Sequence, residues 1–400
     1  LEIAGDAPLD DFVGDIALAT DGEDRVTGTV RLSRPSGSID QVFSVNLEGD
    51  LRPLLEDQYD PFFGAATILR VEGTFFGLGG LDLSNIIIAA DQVVIRGSAR
   101  IDANGWPEAI DLRGRLGTGN TETVLLPFGD APTEVSGISL NVQYDATNDD
   151  AWKGNFDITS LVREGISIDT LTLSGGGIIV SSGVGALGQF TANLNYAASG
   201  LSLANATLTE AIGSEIEGAL ELSRTEGGPF IVNALTLNGA GIEAQGSAMI
   251  GGSEERFRTQ AGLSFETADF SRFSELTGVN LAGGGTVDLS GTIQPFDGIF
   301  NIEIAAQTND LTIGIIRADP LLAGTSVLLM GMERDIDGTR LRSINLRNDA
   351  VQVTGSAEIT SQSTTANFTA KVTNLNLVTP SLSGPATLTA DVQTNPHGTI

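Results

Sequence analysis

Cysteine is absent from the 400 residues, so neither a disulfide nor a thiolate metal site contributes to this fold in any redox compartment. Histidine occurs once, as His397, which excludes Ser-His-Asp triads and HExxH zinc sites. Aromatic residues are scarce at 6%, a composition that suits many thin strands better than a few thick cores. Basic residues are few: 21 against 51 acidic ones give a net charge of −30, and such a surface repels nucleic-acid backbones. Residues 170–209 carry no charge, but Gly, Ser, Thr and Asn interrupt them too often for a transmembrane helix. Neither a G-x-S-x-G elbow nor a G-x-x-x-x-G-K-[ST] loop occurs, and Gly283-Gly-Gly precedes a strand rather than a helix. The adjacent acids Asp10-Asp11, Asp149-Asp150 and Glu254-Glu255 read as solvated loops, because neighbours along a strand point to opposite faces. Asp335-Ile-Asp337-Gly338 lacks the later ligands of a calcium loop and reads as a hairpin turn. The expectation is a non-enzyme without cofactor or bound metal.

What is abundant is glycine, 50 residues of it, and alternating apolar sequence. One strand-shaped motif returns three times: Val93-Val-Ile-Arg-Gly97-Ser-Ala99-Arg-Ile101, Ile242-Glu-Ala244-Gln-Gly246-Ser-Ala248-Met-Ile250 and Val351-Gln-Val353-Thr-Gly355-Ser-Ala357-Glu-Ile359. In each copy the positions two apart are apolar or small, the period of a strand with one dry and one wet face. The sets Val93, Ile95, Ala99, Ile101; Ile242, Ala244, Ala248, Ile250; and Val351, Val353, Ala357, Ile359 are therefore expected to line one dry face. Glu243, Gln245 and Met249 are expected on the other, because a slip by one residue would put Glu243 into the apolar strip. Small residues on the dry side suit a sheet curved inward, where side chains crowd.

Asp21-Gly22, Asn104-Gly105, Asn238-Gly239, Asp297-Gly298 and Asp337-Gly338 punctuate the chain as hairpin turns. A second repeat places short helical pieces before strands. Asp50–Gln58 precedes Phe62-Phe-Gly64, Asp269–Leu276 precedes Leu281-Ala-Gly, and a looser copy runs from Asp310 through Leu321-Leu-Ala. Asp269 is placed as an N-cap, with Phe270, Phe273 and Leu276 on one helical face. Such a helix either plugs a groove or covers a strand edge. The fold class expected is all-β: a long, curved antiparallel sheet forming an open, repeating β-groove with a few short helices. No firm boundary divides 1–400, and the chain reads as an excerpt of a longer protein.

Three further patterns carry a resemblance: Pro8-Leu-Asp-Asp-Phe-x-Gly-x-Ile, Leu51-Arg-Pro-Leu-Leu followed by Pro61-Phe-Phe-Gly64, and the repeated apolar-x-Gly-Ser-Ala-x-apolar strands. In combination they make the chain similar to the TamB family, the inner-membrane subunits of the translocation and assembly module, within the wider AsmA-like group. The resemblance implies a half-pipe of strands with an apolar interior, reaching across the periplasm from an inner-membrane anchor. It implies phospholipid acyl chains as cargo, a TamA-like outer-membrane barrel as partner and a link to outer-membrane protein assembly. An adhesive or structural extracellular β-repeat with a closed core is the alternative reading.

Overall fold

The computed structural model describes residues 2–5, 8, 10–20, 22–56, 60–117, 123–126, 132–183 and 187–394. His397, with the rest of 395–400, lies outside them, as do Leu9, Asp21 and Gln58. About 66% of the chain is strand, the pairings are antiparallel and the sheet is open rather than closed. Two compact units are formed, Leu1–Ala204 and Asn205–Ile400.

The first unit contains β1 (Glu2–Gly5), β2 (Asp11–Thr20), β3 (Glu23–Ser33), β4 (Gln41–Gly49), α1 (Asp60–Phe63), β5 (Thr67–Phe75), β6 (Leu81–Ala89), β7 (Val93–Ile101) and β8 (Pro107–Gly117). A short hairpin of β9 (Val124–Leu125) and β10 (Thr133–Val135) follows. The unit ends with β11 (Gly137–Asp145), β12 (Ala151–Arg163), β13 (Ile166–Ser181), β14 (Leu187–Ser199) and β15 (Ser202–Leu203). Its main ladder runs β1 to β8 in sequence order and then directly to β11, β12, β13 and β14.

The second unit opens with α2 (Ala206–Ile212), then β16 (Ile216–Thr225), β17 (Phe230–Gly239), β18 (Ile242–Ile250) and β19 (Thr259–Thr267). After α3 (Ser274–Thr277) come β20 (Ala282–Gln294), β21 (Ile299–Thr312), β22 (Thr325–Arg334), β23 (Gly338–Arg347), β24 (Val351–Thr360), β25 (Thr364–Val372) and β26 (Ala386–Thr394). Each strand from β16 to β26 pairs with its sequence neighbour, an uninterrupted meander.

Within both units one block recurs: a helical turn, then four strands of which the third carries the Gly-Ser-Ala motif. The blocks are α1 with β5–β8, α2 with β16–β19, and the 3-10 turn Asp319–Leu321 with β22–β25. In every copy the second strand is bulged opposite the motif serine. Ser84-Asn85 faces Ser98, Asn233-Ala234 faces Ser247, and Arg342-Ser343 faces Ser356, each pair of residues spanning one residue of the motif strand. A bulge of this kind adds one unpaired residue, bends its strand and raises local twist.

The helical turns cover one end of the sheet. Phe63 of α1 and Val124 of β9 pack on Val93, the first residue of the first motif. In the second unit, Ala211 of α2 is fully buried and Phe270 is 6% exposed. The Arg272 guanidinium donates to the carbonyls of Ala211 and Glu210, both at 3.1 Å, joining two helical segments. In the third block Asn348 donates to Leu321 O at 2.7 Å, while its Oδ1 accepts from the backbone of Val351 at 2.8 Å. That one side chain thus ties the helical turn to the start of the motif strand.

Asp269 caps as expected, accepting from Ser271 N at 2.8 Å, and leads a 3-10 turn (Phe270–Phe273) that continues into α3. Phe270 and Phe273 pack inward, the latter against Phe265 with centroids 5.6 Å apart, but Leu276 stays 40% exposed. The Asn238-Gly239 pair does not turn. It completes β17, and Ala240-Gly241 makes the hairpin, with Gly241 at φ +81°.

Candidate functional site

Residues directly opposite in adjacent strands share a face, so register converts the alternating sequence into rows. In the second unit one row reads Gly218, Leu237, Ala244, Phe265, Val287, Ala306, Leu328, Leu346, Val353, Ala370 and Leu388, one residue from each strand β16 to β26. Ala244 and Val353, from different motif copies, therefore lie in the same row. Beside it runs a row through Leu220, Gly246, Leu289, Met330, Gly355 and Ala390, and beyond that one through Leu222, Ala248, Ile302, Met332, Ala357 and Val392. No polar or charged side chain interrupts these three rows. Eleven strands at about 4.8 Å spacing give a track about 48 Å long, more than the roughly 30 Å hydrocarbon core of a bilayer.

The first unit repeats the pattern. Its row through Ile95 reads Ile16, Gly28, Leu47, Leu69, Ile88, Ile95, Gly114, Leu140, Phe156, Leu173 and Tyr196. The row through Gly97 joins Gly14, Val30, Val45, Val71 and Ile86 to Leu112, Val142, Gly154, Gly175 and Leu194. Ala99 joins Leu83, Ile110, Tyr144 and Trp152, and Val93 joins Leu116, Ile138, Ile158, Leu171 and Ala198. Burial pushes the Tyr196 hydroxyl pKa up, as befits its place among apolar side chains. Trp152 stacks on Phe190 and donates to Thr191 O at 2.9 Å, a local anchor.

The opposite face is wet. Glu243, Gln245 and Met249 are exposed, and the row of Gln245 runs through Thr236, Ser264, Asp288, Ala305, the exposed Leu329, Asn345 and Thr354. In the first unit the corresponding row is Asp15, Thr29, Asn46, Arg70, Ile87, Arg96, Arg113, Asn141, Asn155, Ser174 and Asn195.

Burial along the apolar face is graded. Val93, packed against Phe63 of α1, and its counterparts Ile242 and Val351 are each 5% exposed. The middle of the face is half-buried, with Ile95, Ala99, Ala244, Ala248, Val353 and Ala357 all in that range. Toward the far end Ile101 and Ile250 are half-buried, and Ile359, flanked by Thr339 and Thr364, is 55% exposed. Leu263 and Leu388, in the central rows, are 37% and 68% exposed. Side chains in a sealed core would be almost fully withdrawn from water; these are not.

Three features of the site escape the sequence reading. The bulges are one, though each leaves a trace: apolar residues three apart inside a strand, as in Leu83-Ser-Asn-Ile86, Val232-Asn-Ala-Leu235 and Leu341-Arg-Ser-Ile344. Helix α2 is the second, begun at the end of the uncharged tract and carrying only Glu210 as a charge, with the Asn205 cap accepting from Leu208 N at 3.2 Å as its signal. The third is the cover supplied by Val124, a long-range contact without local signature. Among the described residues no cluster of His, Asp and Glu could hold a metal ion, and no helix is long and apolar enough to cross a membrane. Comparison with protein-family models finds no match, and no curated protein matches the chain either.

Proposed function

We propose that the apolar face carries phospholipid acyl chains while their headgroups remain in water, and that this chain is a segment of a TamB-like periplasmic lipid conduit. In that reading it belongs to a protein anchored in the bacterial inner membrane that moves lipid between inner and outer membranes. Its link to outer-membrane protein assembly, alongside a TamA-like barrel, runs through lipid supply or direct contact. The observation that supports the reading best is the set of uncharged rows, continuous across every strand of a unit and left half-open to solvent. Burying each methylene contributes roughly 0.8 kcal/mol, so even partial contact along an acyl chain holds a lipid. Rows made of aliphatic, aromatic and thioether side chains and glycine, without a charge, offer no deep local well, so a bound chain slides. No catalytic group is required.

The test is the lipid content of the chain itself. Purified from a bacterial periplasm without detergent and extracted, it is expected to yield phospholipid at one or more molecules per chain by mass spectrometry. Lipid-free protein that also takes up no phospholipid from donor vesicles would instead favour an adhesive or structural role for the repeat.

A further inference from the structure

The polar face of the first unit carries an arrangement that lipid conduction does not use. Arg96 of β7 stands directly opposite Arg113 of β8. Arg115 lies two residues further along β8, opposite Val94 and Ser139. Like charges placed opposite each other across a ladder repel and cost stability. The chain has 51 acidic residues against 21 basic ones, yet no acid separates these guanidinium groups. Among the described residues neither Arg96 nor Arg115 has an ion-pair partner, and Arg113 meets only Asp111, at 3.5 Å with both side chains well exposed. The three arginines line a depression of about 680 Å³, together with Asn85 and the hydroxyl residues Ser98 and Ser139.

The other two motif copies act as internal comparisons, because the fold builds a similar depression beside each bulge. The second copy's is lined by Asn233, Ser247, Met249 and Gln260 and has no cation. The third copy's holds Arg340 and Arg342, but both are neutralised. Arg340 pairs with Asp335 at 2.5 Å and Glu358 at 2.7 Å, and Arg342 pairs with Glu303. The architecture therefore does not need arginine there, and where arginine serves a structural end it is matched by acid. Only the first depression leaves its guanidinium charge open.

We propose that this depression binds a phosphate group, either free or as a phospholipid headgroup. Guanidinium forks donate paired hydrogen bonds to phosphate oxygens, and a tetrahedral anion seated among three arginines would relieve the Arg96–Arg113 repulsion. Asp111, the one acid on the wall, meets Arg113 only at 3.5 Å with both side chains well exposed, so all three guanidinium groups remain able to donate to the ligand.

The test uses the full chain at low ionic strength with two probes: inorganic phosphate, and phosphatidylcholine vesicles with or without phosphatidylglycerol. Phosphate is expected to raise the melting temperature and shift the Arg96 and Arg113 Nε signals. Arg96→Gln/Arg113→Gln is expected to weaken binding by about tenfold or more. Arg100→Gln, whose side chain pairs with Asp82 outside the depression, should leave it unchanged. Without ligand, Arg96→Gln should melt no lower than the parent, since it removes a repulsion. Response to phosphate alone assigns a free ligand; flotation with phosphatidylglycerol vesicles alone assigns a headgroup. No response to either probe overturns the proposal, as does binding that the double variant retains in full.

Discussion

Gly97, Gly246 and Gly355 lie on the apolar face, each with atoms of the adjacent strand where a Cβ would stand. A Cβ at Gly97 would fall against the Asp111 carbonyl oxygen, and one at Gly355 against the Phe368 ring. The glycine of the motif is thus a packing requirement of the adjacent strand. Gly355→Val is expected to cost about 1–3 kcal/mol through overpacking, read as a lower midpoint in urea, whereas Thr354→Val on the wet face should change stability by less than about 0.5 kcal/mol. Equal effects at the two positions would mean that the faces are wrongly assigned. Ahead of α1, the Arg52 guanidinium, bonded to both Asp50 oxygens at 2.9 and 2.7 Å, holds that carboxyl down at about 2. A depressed carboxyl pKa stabilises the fold above the usual value of about 3.9 and loses that contribution as pH falls toward the folded one. Asp50→Asn should therefore be less stable than the parent at pH 6 and indistinguishable from it near pH 2. A carboxyl resonance titrating with a midpoint near 4 would contradict the pairing.

At the scale of elements, the repeated block works because a helical turn seals one end of strands that are otherwise open. Phe270 is the clearest case, since its turn is also tied to α2 through Arg272. Phe270→Ala is expected to cost about 3–5 kcal/mol, measured by calorimetry, with hydrogen exchange rising first at the ends of β19 and β20. Exchange that rises evenly over the second unit would show that the turn is no local seal. This scale also separates what sequence discloses from what it conceals. The motif strands were readable because alternation with period two survives intact from Val93 to Ile101 and from Ile242 to Ile250. Their bulged partners were not, because the extra residue at Ser84, Asn233 or Arg342 resets the alternation midway. Helix α2 is only seven residues long, and its Ala and Thr content resembles the uncharged tract that leads into it. The contact of Val124 on Val93 depends on chain closure that no local pattern encodes. Ile359 shows the converse: its period matches the strip, yet threonine on both neighbouring strands places it at a polar margin.

At the scale of the molecule, the rows explain why so much aliphatic sequence coexists with so few withdrawn side chains. Each unit presents a face too apolar for an ordinary surface and too exposed for an ordinary core. Replacing Val353 by Asp puts a carboxylate in the middle of such a row. Because the row is half-open, the charge reaches water, and the expected loss of stability is below the several kcal/mol of a charge sealed in a core. Circular dichroism should stay that of a β-sheet protein, while phospholipid uptake from donor vesicles falls. Global unfolding of the variant would instead mark the face as a closed structural core.

The most direct measurement of the central claim is photo-crosslinking of lipid in intact cells, with a photoreactive residue placed in turn at neighbouring positions on opposite faces. Val353 and Thr354 form one such pair, Ala244 and Gln245 a second. Phospholipid adducts are expected by mass spectrometry at Val353 and Ala244, with few at Thr354 and Gln245. Adducts distributed equally between the two faces, or confined to Thr354 and Gln245, would contradict the claim.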